Sequence, residues 1–294
     1  MTIIYEKWRD LDIDPLDIPF KTLKIKKIIS YPPAQNDVIE CLCDYNKKVI
    51  NVVIKVERSK MAEFKAEINH LTKLKNLKNI PNLIEYGKYN NKNYIVLEKV
   101  DGERLSDIFK TNINDKEKYN YLYNYGKELA NIHNIKIKNG YNAKIRVIND
   151  YPKLENYNNI PAELEKYINF LKENNCLKNN DTFIHGDFHY ANILWDNFKP
   201  TGLLDWEYSG YGFKEQDIAW ACILRPTQYF MDNLIDIQNF LKGYLEIGEF
   251  NNEYFRWCLI NGYCHFYLLN LNDENYKEKL LFLIKEVYNQ KLNF

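Results

Sequence analysis

Residues 183–207 read FIHGDFHYANILWDNFKPTGLLDWE. An apolar pair, Phe183 and Ile184, leads into His185-Gly186-Asp187, five positions separate Asp187 from Asn192, and a second apolar pair, Leu203-Leu204, ends in Asp205. Ile193 to Trp195 read as a short strand, 196–202 as a turn, and 203–205 as the returning strand. A hairpin of that kind is expected to gather Asp187, Asn192 and Asp205 around one small polar volume. Two carboxylates and an amide oxygen are hard oxygen donors, suited to Mg²⁺ that carries substrate phosphates. The roles divide accordingly: Asn192 and Asp205 hold the metal, while Asp187 accepts a hydroxyl proton or orients the attacking oxygen. Any one of these residues could simply punctuate a hairpin. The complete spacing, H-x-D-x-x-x-x-N followed by two apolar residues and Asp, points to a site.

HGDFHYAN with the downstream LLDWE resembles the catalytic loop and metal-binding Asp of the aminoglycoside phosphotransferase and choline kinase superfamily, small-molecule kinases with a fold related to protein kinases. Protein kinases carry Arg after the His and Phe-Gly after the metal Asp. Here Gly186 and Trp206-Glu207 stand in those places, which favours the small-molecule branch. The resemblance covers most of the chain in order of elements, although only 183–207 and Asp217 are specific. It implies an α+β, bilobal, protein-kinase-like fold: an N-terminal nucleotide-binding lobe over 1–100, of antiparallel sheet plus one helix, and a mainly helical catalytic and substrate-binding lobe over 101–294. It also implies that His185 supports the loop and that Asp217 braces it. An N-cap role alone would equally explain Asp217.

Upstream, LKIKKII (23–29), VIECLC (38–43) and VINVVIKV (49–56) read as a three-stranded meander, with a turn at YPPAQND (31–37). The last strand carries Lys55 inside an apolar run, where an ammonium needs anions unless it snorkels from an edge. A helical pattern over 62–78 follows, with Phe64, Ile68, Leu71, Leu74 and Leu77 on one stripe and Glu67 beside it. Strand lysine followed by helix glutamate resembles the kinase ion pair that presents lysine to the α- and β-phosphates. Lys55 and Glu67 are therefore expected to pair, with Glu63 as the fallback. No glycine precedes Gly87, so a Gly-rich phosphate loop cannot exist, and the 31–37 turn would have to cover the nucleotide. A hairpin over 83–100 then reaches the place where the resembling fold meets adenine with backbone groups, here of Glu98 and Val100. A short helix is expected to begin near Glu103.

The remainder reads as helices over 116–137, around 164–171, over QDIAWACIL (216–224), and over about 231–247, 251–271 and 273–290, with an irregular connection at 138–160. His133 reads as a core or capping residue. Helices at this end wall the acceptor site in the resembling superfamily. A polycationic acceptor would want carboxylates, for which Glu207 is best placed in sequence, with Glu246 and Glu249 further candidates. A quaternary ammonium would want an aromatic cage, for which Trp206, Trp257, Tyr263 and Tyr267 are available, though core packing explains them as well.

Composition excludes other classes. Lys plus Arg equals Asp plus Glu at 40 each, so nothing favours nucleic acid. Six cysteines are scattered without C-x-x-C pairs, and no run approaches a membrane span. A cytoplasmic protein with reduced thiols and no membrane insertion is expected. The function implied is transfer of the γ-phosphoryl of ATP or GTP, with Mg²⁺, to a hydroxyl of a small molecule, most like an aminoglycoside phosphotransferase. The alternatives are a choline or ethanolamine kinase and a non-catalytic kinase-like binding or structural protein.

Overall fold

The computed structural model describes residues 9–58, 63–75, 77–111, 113–144, 150–157, 160–174, 181–270 and 272–289. The chain divides into two compact units, Met1–Asp101 with Thr201–Glu207, and Gly102–Pro200 with Tyr208–Phe294.

The first unit is built on an antiparallel sheet of β1 (Leu23–Ser30), β2 (Asp37–Tyr45), β3 (Lys48–Val56), β4 (Leu83–Tyr89) and β5 (Lys92–Glu98), in the order β1-β2-β3-β5-β4. Alternation drives the pairing: Ile39, Cys41 and Cys43 of β2 are buried with Val52 and Ile54 of β3. The β2–β3 and β4–β5 connections are two-residue turns with left-handed pairs, Asn46-Lys47 and Asn90-Asn91. Such turns match the twist of the flanking strands, and asparagine tolerates their backbone. The helix expected over 62–78 is shorter. Helix α1 spans Phe64–Lys73 and closes on Leu74, whose N–H bonds the His70 carbonyl. Leu77 is exposed, and residues 62 and 76 lie outside the described residues.

The second unit begins with a two-residue strand, β6 (Glu103–Arg104), and the short helix expected near Glu103 follows as α2 (Leu105–Ile108). Helices α3 (Asp115–His133) and α4 (Ala162–Glu173) come next, then β7 (Thr182–Ile184), β8 (Ile193–Asp196), β9 (Lys199–Leu203), of which Thr201 to Leu203 belong to the first unit, and β10 (Gly210–Gly212). The β8–β9 turn is only Asn197-Phe198, both left-handed, so the returning strand starts earlier than the sequence suggested. Helices α5 (Lys214–Cys222), α6 (Leu234–Leu245), α7 (Asn252–Leu269) and α8 (Glu274–Asn289) complete it. Asparagines again do defined work: Asn114, Asn233 and Asn251 cap α3, α6 and α7 by accepting backbone N–H bonds. Helices α3 and α6 touch backbone to backbone. A Cβ on Gly126 would overlap the Phe240 carbonyl, and one on Gly243 would overlap the Tyr123 carbonyl.

Five cysteines, Cys41, Cys43, Cys222, Cys258 and Cys264, are free and buried, and Cys176 lies outside the described residues. Among the described residues no helix is long and apolar enough to cross a membrane.

Candidate active site

The site residues read from the sequence divide between the two units: Lys55, Glu67, Glu98, Val100, Asp205 and Glu207 belong to the first, Asp187 and Asn192 to the second.

In the first unit, Lys55 stands on the central strand β3, between Val38 of β2 and Ile95 of β5. Its ammonium lies 3.0 and 2.9 Å from the two Glu67 carboxylate oxygens and 2.8 Å from Asp205 Oδ1. Glu67, rather than Glu63, is thus the helix partner. Burial alone would depress the lysine's proton affinity, but Asp205, Glu67 and Glu207 raise it well above the ordinary value. Glu67 is fully buried, which pushes its carboxyl up, and Lys55 opposes that shift. Asp205 takes a left-handed backbone, φ 63°, a conformation that costs energy outside glycine and asparagine. Glu67, Asp205 and Glu207 each offer an oxygen within 4.8 Å of the others. Glu207 therefore lies buried in this acidic cluster, where it accepts from Asn36 Nδ2 at 3.4 Å. Asn36 ends the 31–37 turn and also accepts the Arg58 N–H, so this residue ties the turn down. At the end of β5, the Glu98 N–H donates to the Asn82 carbonyl, which leaves its own carbonyl as the group it can offer. Val100 follows in irregular chain, half-buried.

In the second unit, the His185–Asn192 loop is held from α5. Asp217 accepts the His185 N–H at 2.9 Å on Oδ2 and the Gly186 N–H at 3.1 Å on Oδ1. It does not cap its helix: Phe213 is the N-cap residue, and Asp217 sits in the first turn with its side chain buried. His133 Nε2 lies 3.2 Å from Asp217 Oδ2, and His133 Nδ1 lies 2.7 Å from the Tyr244 hydroxyl. A carboxylate accepts only, so Nε2–H donates to Asp217. Gly186 has φ 77°, and a Cβ there would overlap the Tyr208 carbonyl, which explains glycine where protein kinases place arginine. Asp187 is 3% exposed. Asn192 Nδ2 donates to the Asp187 carbonyl at 3.0 Å and to its Oδ2 at 3.2 Å, so the Asn192 amide oxygen is the atom left for a cation. Trp220 Nε1 donates to Asp187 Oδ1 at 2.9 Å, and His189 Nε2 lies 3.6 Å from the same oxygen.

The sequence reading did not single out Trp220, whose indole meets Asp187. It stands three residues after Asp217 on α5, so both side chains issue from one face. That D-x-x-W spacing on a buried helix just past the motif is the signal that could have found it. The acceptor candidates fared differently. Trp206, Trp257, Tyr263 and Tyr267 are all buried, and three of them donate to backbone carbonyls, so they are core residues rather than a cage. Glu246 is tied to Lys127 and Tyr123, and Glu249 is exposed.

The family model described as the phosphotransferase enzyme family matches residues 47–253. The chain belongs to that family. Among curated proteins, a probable aminoglycoside 3'-phosphotransferase of Lactococcus lactis subsp. lactis is 32% identical over 68 residues, 23% of this chain and 25% of that protein. The chain thus covers about a quarter of the relative it matches. Among solved structures, a thermostable mutant of the aminoglycoside phosphotransferase APH(4)-Ia, in a ternary complex with AMP-PNP and hygromycin B, superposes with TM-score 0.61 at 15% identity, covering 90% of this chain and 93% of that one. A Plasmodium vivax ethanolamine kinase superposes with TM-score 0.53 at 15% identity, over 91% and 82%. At these identities the likeness establishes a shared fold, that of the small-molecule kinases.

Proposed function

We propose that this phosphotransferase family member moves the γ-phosphoryl of ATP or GTP to a hydroxyl of a small molecule, most like an aminoglycoside. The observation that carries the reading is the Asp187 carboxylate, nearly buried and held between the Asn192 amide and the Trp220 indole on a loop braced by Asp217. A carboxylate so placed can orient an acceptor hydroxyl and take its proton as the oxygen attacks phosphorus. Lys55 is the cation for the phosphates, kept charged by Glu67 and Asp205. The backbones of Glu98 and Val100 are the groups for the base, with Glu98 offering its carbonyl.

The cluster of Glu67, Asp205 and Glu207 is a hard-oxygen donor set and fits Mg²⁺. Asp205, with the Asn192 amide oxygen, would hold the metal, which would neutralise charge on the transferring phosphoryl group. The protein's own contribution is positioning and fixed charge. The acceptor class rests on the relatives, whose names include an aminoglycoside 3'-phosphotransferase and a hygromycin B complex. The absence of an open cage among Trp206, Trp257, Tyr263 and Tyr267 weighs against choline.

The test is nucleotide consumption by purified protein with Mg²⁺ across aminoglycosides, choline, ethanolamine, other amino alcohols, nucleosides and sugars. Turnover with one class identifies the acceptor. Silence across the panel together with no Mg·ATP or Mg·GTP stabilisation in thermal unfolding would overturn the reading in favour of a non-catalytic binding protein.

A further inference from the structure

Three tryptophans in this chain donate their indole N–H in different ways. Trp206 gives it to the Leu203 carbonyl at 2.8 Å and Trp257 to the Leu171 carbonyl at 3.0 Å, the ordinary solution for a buried indole. Trp220 gives it to the Asp187 carboxylate at 2.9 Å and is only half-buried. Its ring is fixed from several sides. The Arg225 guanidinium lies over it, 4.7 Å from the ring centroid, and Phe266 packs at 5.9 Å. Arg225 also donates to the carbonyls of Trp220, at 2.9 Å, and Ile223, at 3.1 Å, which locks the C-terminal end of α5.

We infer that Trp220 is a positioning residue for phosphoryl transfer: its N–H fixes the rotation of the Asp187 carboxylate for the acceptor hydroxyl. The inference rests on the proposed role of Asp187. Indole has a donor and no acceptor, so it can hold one carboxylate oxygen in place without taking a proton from the acceptor itself. The loop backbone hangs from Asp217 and the Asp187 side chain from Trp220, one turn apart on the same helix. Helix α5 thereby sets both where the loop runs and how its carboxylate is turned.

The test separates the donor from the ring. In Trp220→Phe, which keeps an aromatic ring and deletes the donor, single-turnover transfer at saturating substrates, to the acceptor found by the panel or to water, is expected to slow about tenfold or more, with nucleotide affinity and acceptor KM unchanged. Replacing Trp220 site-specifically with benzothienylalanine, which has the same shape and no N–H, is expected to act like Trp220→Phe, whereas 4-fluorotryptophan, which keeps the N–H, is expected to retain the full rate. A benzothienylalanine protein that transfers at the full rate would overturn the inference, as would a 4-fluorotryptophan protein as slow as Trp220→Phe. An active Asp187→Asn would instead overturn the proposed role of Asp187.

Discussion

In the first unit three carboxylates cluster at one ammonium: Lys55 bonds Glu67 and Asp205, and Glu207 lies within the same acidic group. In the second unit Asp187 is held by the Asn192 amide and the Trp220 indole, and Asp217 by the backbone N–H groups of His185 and Gly186 beside the His133 ring. The difference is one of charge. A buried cation opposes the rise that burial imposes on its carboxylates, and its loss leaves charges stranded in a poor solvent. Neutral donors orient a carboxylate while leaving its negative charge to act on something else. The first arrangement suits drawing in further positive charge beside phosphates; the second suits a group that must receive a proton. Glu85, in the first unit, shows that neutral donors suffice: Lys21 N–H, Thr22 N–H and hydroxyl, and the Tyr94 hydroxyl all bond its carboxylate.

The largest effect tests the second arrangement. Asp187→Asn should lower turnover about a thousandfold or more while Mg·ATP still raises thermal stability; retained activity would break the comparison. Next in size, Lys55→Met should cost about 3–5 kcal/mol of unfolding free energy, because Glu67 would be left buried without its cation. Urea unfolding at neutral pH measures this, and a second change, Glu67→Met, should recover part of the loss. Asp217→Asn should cost less, about 1–3 kcal/mol, since an amide cannot accept from both loop N–H groups and His133 at once. If it cost more than Lys55→Met, the ranking of cation over neutral donors would be wrong.

The smallest effect is a pH dependence. Burial raises the Glu85 carboxyl, but its hydrogen bonds to Thr22, Lys21 and Tyr94 outweigh that and hold it below the ordinary value. With its folded pKa below the unfolded one, its contribution is present above the unfolded value and disappears as pH falls through the folded value. Stability by urea unfolding should therefore drop below about pH 4, and Glu85→Gln should flatten that drop.

Much of this was legible. Alternation and asparagine-bearing turns gave the strands of the first unit, because a half-buried sheet writes its period into the chain. Lys55 and Glu67 were legible because a lysine in an apolar run must find an anion. Asparagine carries three hairpin turns and three helix caps. Trp220 was not legible, since an indole on a buried helix looks the same in sequence whether its N–H meets a carbonyl or a catalytic carboxylate. Core packing, which the sequence offered for Trp206, Trp257, Tyr263 and Tyr267, is what burial bears out, while the burial of Glu207 was not legible because adjacency to a motif does not fix which way a side chain turns. For Asp217 local helix rules offered only a cap; the brace was implied by resemblance alone, and its bonds to the His185 and Gly186 N–H groups fit that role.

The two glycines where α3 meets α6 have a consequence for comparing distant sequences. Each lies under a carbonyl of the opposite helix, Gly126 under Phe240 and Gly243 under Tyr123. Neither can acquire a side chain unless helices bearing His133 and Tyr244 move apart. Drift that replaces most other positions should therefore leave this pair in place, or change both along with the spacing of the helices. Where identity has fallen to 15%, as with the solved neighbours, two columns fixed by backbone proximity would anchor an alignment in a region that contains no catalytic motif.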